Sequence, residues 1–395
     1  MASETILSSR VARVTDSVTL SIASKAKEMK AKGLDIVDLS AGEPDFDTPH
    51  DIKEAAIQAI QKGFTKYTPS SGTQELRVAI ADKFKKDNSL DYPSAQIIVS
   101  SGAKHSLYNI FQVLCEEGDE VIIPSPYWLS YPEMVKMAQA TPVFVGSSLK
   151  DRYKISARTL ESRITKKTKA VIINSPSNPT GSVYSADELK EIAAVAVRHK
   201  IYVISDEIYE KLIYDGKKHV SIASLGKDIY DLTIVVNGMS KAYSMTGWRV
   251  GYAAGPAPIM KGIASLQSHA TSNPCSISQA AALAALIHQE NQQFIEKMRQ
   301  EFQTRRDYLC SRILAMKTIS CVKPDGAFYV FCDVSRTGLD SLTVTNALLE
   351  EALVAVIPGK PFGDDGCIRL SFATSMETIK KGIDRIEAWA AKRKA

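Results

Sequence analysis

Lys241 stands in the run Asn237-Gly238-Met239-Ser240-Lys241-Ala242-Tyr243-Ser244-Met245-Thr246-Gly247-Trp248-Arg249-Val250-Gly251, directly after the apolar stretch 232–236. A lysine whose ammonium is desolvated, or lies near another cation, loses pKa and can form a Schiff base with a carbonyl. Arg249, eight positions on, offers a planar fork of donors suited to phosphate. An aldehyde cofactor that carries a phosphate, pyridoxal 5′-phosphate (PLP), needs both groups. A loop lysine beside a surface arginine would show the same spacing.

Other residues could join such chemistry, and each has a plainer account. Val99-Ser100-Ser101-Gly102-Ala103-Lys104 lies between a strand and a helix, where free backbone N–H groups favour an anion. An ordinary tight turn explains it equally. Trp128, after Pro124-Ser125-Pro126-Tyr127, offers a flat face for stacking or for core packing. Asn174-Ser175-Pro176-Ser177-Asn178-Pro179-Thr180-Gly181 is turn chemistry after a strand. Asp206 ends an apolar strand, at the sheet edge where α/β folds bind ligands, with Tyr209 three residues on; a helix cap with a packed tyrosine is the alternative. Gly42, in Ala41-Gly42-Glu43-Pro44-Asp45, would let backbone approach a ligand. Arg369 interrupts an apolar strand, where a charge is costly unless paired, by a substrate carboxylate or by a structural ion pair.

The string Ser240-Lys241-x-x-x-x-Thr246-Gly247-Trp248-Arg249-x-Gly251 resembles the lysine signature of the class I and II aminotransferases, members of the fold type I superfamily of PLP enzymes. Further matches run in order from about Gly42 to Arg369, nearly the whole chain. The resemblance implies that Lys241 holds the cofactor covalently and then shuttles a proton at the substrate Cα. It makes Gly102, Ala103 and Lys104 the phosphate loop, although Lys104 could instead reach a substrate's distal carboxylate. Arg249 would clamp the phosphate, with Ser240 among the cofactor contacts. Trp128 would stack on the ring, Asp206 would keep the pyridine nitrogen protonated, and Asn178 and Tyr209 would hydrogen-bond the phenolic oxygen. Gly42 and Arg369 would receive the substrate carboxylate, with Trp128 and Asn178 also lining the substrate site. Tyr67, a packed loop tyrosine when judged alone, would serve the phosphate site of a neighbouring subunit, which implies a homodimer with composite active sites. One departure is Gly238, at a position where many relatives carry a serine that touches phosphate.

Gly42-Glu43-Pro44-Asp45-Phe46-Asp47-Thr48-Pro49 and Pro126-Tyr127-Trp128-Leu129-Ser130-Tyr131-Pro132 are similar to bacterial-type aspartate aminotransferases. The expected reaction is therefore amino transfer between L-aspartate and 2-oxoglutarate in two half-reactions. Aromatic, alanine or prephenate aminotransferases and a C–S β-lyase are alternatives on the same scaffold. Thr15 stands where several prephenate-using relatives have a basic residue, which lowers the weight of that substrate. A non-catalytic effector module is not expected, since such proteins usually carry an added DNA-binding segment and no winged-helix or basic extension is read here. A nucleotide-binding dehydrogenase would need a G-x-G-x-x-G after a strand, and none is present.

The elements that must position these groups follow from the patterning. The chain has 395 residues, 45% hydrophobic and 24% charged, which favours two domains. Its net charge of +5 is spread without a basic block beyond Lys392-Arg393-Lys394, so no nucleic-acid partner is expected. The six cysteines show no C-x-x-C pair and the six histidines no ligand spacing, so neither a disulfide framework nor a metal site is expected. The N-terminus, with Glu4, Arg10, Arg13 and Asp16, lacks the apolar core of a signal peptide, and no segment nears the roughly 20 apolar residues of a membrane span. A cytoplasmic protein is expected.

Short apolar runs such as 170–173 and 201–204 alternate with amphipathic stretches up to about residue 255, as in a mostly parallel sheet sandwiched by helices. A long helical stretch over about 276–316 is predicted next. Strands near 319–322, 327–332, 353–357 and 367–372, with helices 343–353 and 376–392, then predict a smaller α+β domain. The expected division is 1–48 joining the small domain, 49–300 as the large cofactor-binding domain and 301–395 as the small domain.

Overall fold

The computed structural model describes residues 6–15 and 18–393. Of the residues named above, Glu4, Asp16 and Lys394 lie outside them. The strands are β1 (Val37–Asp38), β2 (Ile97–Ser100), β3 (Glu120–Ser125), β4 (Thr141–Gly146), β5 (Thr168–Asn174), β6 (Tyr202–Asp206), β7 (Thr233–Gly238), β8 (Gly251–Ala254), β9 (Ser320–Cys321), β10 (Tyr329–Asp333), β11 (Val354–Ala355), β12 (Ile357–Pro358) and β13 (Cys367–Ser371).

Seven of them form one sheet in the order β2-β8-β7-β6-β5-β3-β4. Only β8 runs against its neighbours, pairing antiparallel with β2 and β7, while β4, β3, β5, β6 and β7 pair in parallel. Side chains alternate between the faces, as period-two geometry requires. Val235 packs with Ile97, Val99 and Tyr252 against the helices Gln74–Asn88 and Ser276–Ile287. Its neighbours Ile234 and Val236 join Ile98, Ile172 and Ile204 on the other face, under the helices Ala103–Leu114 and Ala257–Ala270. The helix Ala186–His199 covers a further part of the sheet and starts in a reciprocal cap, Glu188 N donating to Ser185 Oγ and Ser185 N to the Glu188 carboxylate.

A second sheet, β12-β13-β10-β9, is antiparallel and packs under the helices Glu290–Leu314 and Met376–Ala391. β1 pairs in parallel with β11, so the N-terminal strand joins the C-terminal unit. No helix among the described residues is long and apolar enough to cross a membrane.

Two sequence expectations are corrected. The single helical stretch over 276–316 is two helices, Ser276–Ile287 and Glu290–Leu314, broken where His288 turns extended and its ring meets Asp51 at 2.8 Å. The strand over 353–357 divides because its two halves have different partners, Val354–Ala355 on β1 and Ile357–Pro358 on β13. Residue 300 lies inside the unbroken helix Glu290–Leu314, whose Ile295 packs with the large-sheet core and whose Met298 and Phe302 pack with the small one.

Candidate active site

The ends of β2, β5, β6 and β7 open on one cleft of about 620 Å³; Asp206, the last residue of β6, Lys104, in the helix after β2, and Asn178 and Lys241, in the loops after β5 and β7, stand in its wall. Gly42, Ala103, Trp128, Tyr209, Ser240, Arg249 and Arg369 line it as well. Gly102 stands behind the lining as the residue that starts the helix Ala103–Leu114. Tyr67 is the exception. Its side chain is 90% exposed and stands away from the cleft of its own chain.

Lys241 is half-buried and its Nζ donates to the Gly42 carbonyl at 2.6 Å. Burial pushes its ammonium down to about 8, helped by Arg369 and Arg249 and opposed by Glu43 and Asp206. Asp206 is 4% exposed. Its Oδ2 accepts from the Tyr131 hydroxyl at 2.6 Å and its Oδ1 from Ile208 N at 3.3 Å. Burial raises its carboxyl to about 6 against those hydrogen bonds. Asn174 sets the neighbouring loop by donating to the Asp206 carbonyl and accepting from Asn178 N. Gly181 fixes that loop from the other side, since its carbonyl accepts from Asp325 N and Gly326 N.

Arg369 rises from the middle of β13, buried, with no carboxylate partner among the described residues. Its Nη1 donates to Asn178 Oδ1 at 3.1 Å and its Nη2 to the Ser40 carbonyl at 2.8 Å, while its buried Nε has no partner. The guanidinium lies over the Tyr329 ring, 4.3 Å from its centroid. Because Asn178 Oδ1 is committed to Arg369, its amide nitrogen is left to donate.

The phosphate-loop candidates form a cradle. Gly102 has φ +91°, and a Cβ there would stand 2.3 Å from Arg249 Nη2. Ala103 and Lys104 occupy the first helical turn, where no preceding helical carbonyl takes their N–H groups. The helix has 12 residues, enough to give its start a positive end. Arg249, itself at φ +54°, donates Nη1 to the Thr246 carbonyl at 2.8 Å and keeps its head exposed. Gly251 is required because a Cβ would meet Ala103 N at 2.1 Å. Opposite it in the register lies Gly238, where a Cβ would come within 2.9 Å of Gly251 Cα. A serine at this position would have no room for its Cβ, because β7 and β8 close tightly here. Lys104 Nζ rests over the Trp128 ring at 4.8 Å, and burial, with Arg249 nearby, lowers its pKa.

Sequence reasoning missed several residues of this site. Tyr131, Glu43, Ser40, Asn174, Thr246 and Tyr329 line the cleft or hold its groups. Tyr131 lay within a quoted motif, but nothing in its spacing tied it to Asp206, 75 residues away. Tyr329 carried no signal beyond its apolar strand.

Residues 34–386 match the family model for aminotransferase class I and II. The chain belongs to this family. It is 52% identical to the aspartate aminotransferase of Bacillus sp. strain YM-2 over 97% of this chain and 98% of that one. It is 48% identical to a "probable aspartate/prephenate aminotransferase" of Rickettsia conorii, covering 97% and 98% of the two chains. The solved aspartate aminotransferase of Thermus thermophilus with maleate superposes with a TM-score of 0.94 at 44% identity, over 97% of this chain and 99% of that one. This aminotransferase therefore has the family's fold over essentially its full length, and it is a transaminase.

Class I aminotransferases work with PLP, and the cleft fits that group. Gly102 leaves, between the helix start and Arg249, space that a Cβ would fill. The buried Asp206 carboxylate lacks a cation in hydrogen-bond contact among the described residues, as a partner for a protonated pyridine requires. Lys241 supplies an amine whose lowered pKa makes it nucleophilic near neutrality.

Proposed function

We propose that this aminotransferase exchanges the amino group between L-aspartate and 2-oxoglutarate, with PLP held at Lys241. One observation carries the substrate. Besides Lys241, which holds the cofactor, Lys104, Arg249 and Arg369 face the cleft, and none of the three makes an ion pair among the described residues. Three unpaired cations suit a phosphate and two carboxylates, the demand of a cofactor with a dicarboxylic amino acid. The relatives named for aspartate, and the maleate (a four-carbon dicarboxylate) named with the Thermus protein, support the same class. Thr15 brings no cation and is engaged with Glu133 through its N–H at 3.1 Å and its hydroxyl at 3.0 Å, which favours aspartate over prephenate.

When bound, PLP supplies an aldehyde that takes and returns the amino group and a ring that withdraws electrons from the substrate Cα. The chain's residues do the rest. Arg249, Ser240 and the helix start at Gly102, Ala103 and Lys104 hold the phosphate. Asp206, oriented by Tyr131, keeps the ring nitrogen protonated, and Trp128 covers the ring. Tyr209 and the free amide of Asn178 donate to the phenolic oxygen. Arg369, oriented by Asn178 and Ser40, grips the substrate α-carboxylate near Gly42 in a two-point hydrogen bond. Lys104 meets the distal carboxylate. Lys241 Nζ moves the proton to and from the substrate Cα.

The working form in this reading is a cytoplasmic homodimer, with residues 49–300 as the cofactor-binding domain and 1–48 with 301–395 as the smaller one. Ile57, Ile60, Phe64 and the outward Tyr67 are all exposed and fall in one stretch of chain, as a subunit contact requires. Absorption spectroscopy tests the whole proposal. Aspartate or glutamate alone should convert the visible band of the PLP-loaded protein to the pyridoxamine form faster than tyrosine or alanine does. Pyruvate release with an unchanged band would mean a lyase, and no band after added PLP would overturn the proposal.

A further inference from the structure

Tyr329 stands where two functions of the cleft meet. Its hydroxyl lies 3.0 Å from the Tyr209 hydroxyl, and its ring lies under the Arg369 guanidinium. Both phenols are buried, Tyr209 at 3% and Tyr329 at 1% exposure. The two rings meet edge to face at 5.9 Å. On the other side is Gly42, where an added Cβ would stand 3.4 Å from the Tyr329 oxygen. The charged groups facing the pair are Arg369, Lys241, Asp206 and Glu43. Among the described residues none of the four hydrogen-bonds either hydroxyl.

Two phenols in contact share one donated proton, and the direction depends on what else Tyr209 serves. If Tyr209 gives its own proton to an oxygen in the cleft, its oxygen must accept from Tyr329. Accepting a hydrogen bond polarises a hydroxyl and strengthens the bond that it donates. The geometry points to Tyr329 as a positioning residue, its hydroxyl strengthening and aiming the bond from Tyr209 to the cofactor while its ring seats Arg369 for the substrate α-carboxylate. This rests on the proposed use of PLP and of Arg369. The two halves are separable, because phenylalanine removes the hydroxyl and keeps the ring.

The test is a pH titration of the visible band in the PLP-loaded protein, combined with dicarboxylate binding measured with maleate. A donor to the phenolic oxygen favours its ionised form, so weakening that donor raises the midpoint. Tyr329→Phe should raise it by about half a unit and leave maleate affinity within about twofold. Tyr329→Leu should raise the midpoint and also weaken maleate about tenfold, through the lost cation–ring contact. In a Tyr209→Phe background, Tyr329→Phe should add no further shift. An unmoved midpoint in Tyr329→Phe, or a shift that persists without the Tyr209 hydroxyl, overturns the role of Tyr329 alone. A wild-type protein that never develops the band overturns the proposed function, a distinguishable result.

Discussion

In the proposed reaction the amine of Lys241 carries the chemistry at the residue scale, and its environment sets when it is available. Its ammonium is pushed down to about 8, so the nucleophilic neutral form grows as pH rises and saturates above that value. The rate at which the apoprotein takes up PLP covalently should therefore climb from pH 6 and level off above about 8, followed as growth of the visible band. A flat profile over that range would contradict the assignment. Lys241→Ala should still bind PLP by its phosphate but lose turnover by several orders of magnitude, roughly the scale of a lost base and nucleophile. The two anion grips should separate by substrate. Arg369→Lys should lower kcat/KM for all amino acids alike, since a lysine lacks the planar fork. Lys104→Met should lower it for aspartate and glutamate by about tenfold or more and spare alanine, a pattern read by single-turnover spectra.

Among the elements, the packing of β8 against the start of the helix Ala103–Leu114 shapes the proposed anion cradle. Three glycines allow it: Gly102 faces Arg249, Gly251 faces Ala103 N, and Gly238 faces Gly251. Gly102→Ala would place a side chain at φ +91° and in the space beside Arg249. It should cost about 1–3 kcal/mol of stability and weaken PLP affinity by a larger factor than the stability loss explains. Gly238→Ser should fail to tighten PLP binding, although it adds a hydroxyl. Its Cβ would press on Gly251, destabilising the protein by about 1–3 kcal/mol, measurable by urea unfolding of the apoprotein.

Across the whole molecule, a buried charge network stitches the helix Gln74–Asn88 to the segment after β6. Glu210 pairs with Lys83 and accepts from Asn88 Nδ2 at 2.8 Å. Burial alone would raise its pKa, but Lys83, His219 and Lys211 outweigh it and hold the carboxyl down to about 2. Its folded pKa is below its unfolded value near 4.5, so the stabilisation is complete at neutral pH and is lost as pH falls from about 4.5 toward 2. Glu210→Gln should lose about 3 kcal/mol at pH 7, and its deficit relative to wild type should shrink below pH 4.5. A deficit constant with pH would show that shape, not charge, makes the contribution.

The sequence by itself determined the sheet and pointed to most of the residues that line the cleft. Strands buried on both faces read as unbroken apolar runs, and their ends or the loops that follow carry Asp206, Asn178 and Lys241 within a few residues of those runs. Local signals also placed Gly102 before its helix and Arg369 inside its strand. Tertiary structure decided whatever depends on partners distant in the chain. The bonds of Tyr131 to Asp206 and of Tyr209 to Tyr329 span 75 and 120 residues, and no periodicity encodes them. The division of 353–357 between two sheets arose in the same way, because pairing partners are chosen in space. Gly238 could be read only as a missing hydroxyl until β8 was seen pressed against it.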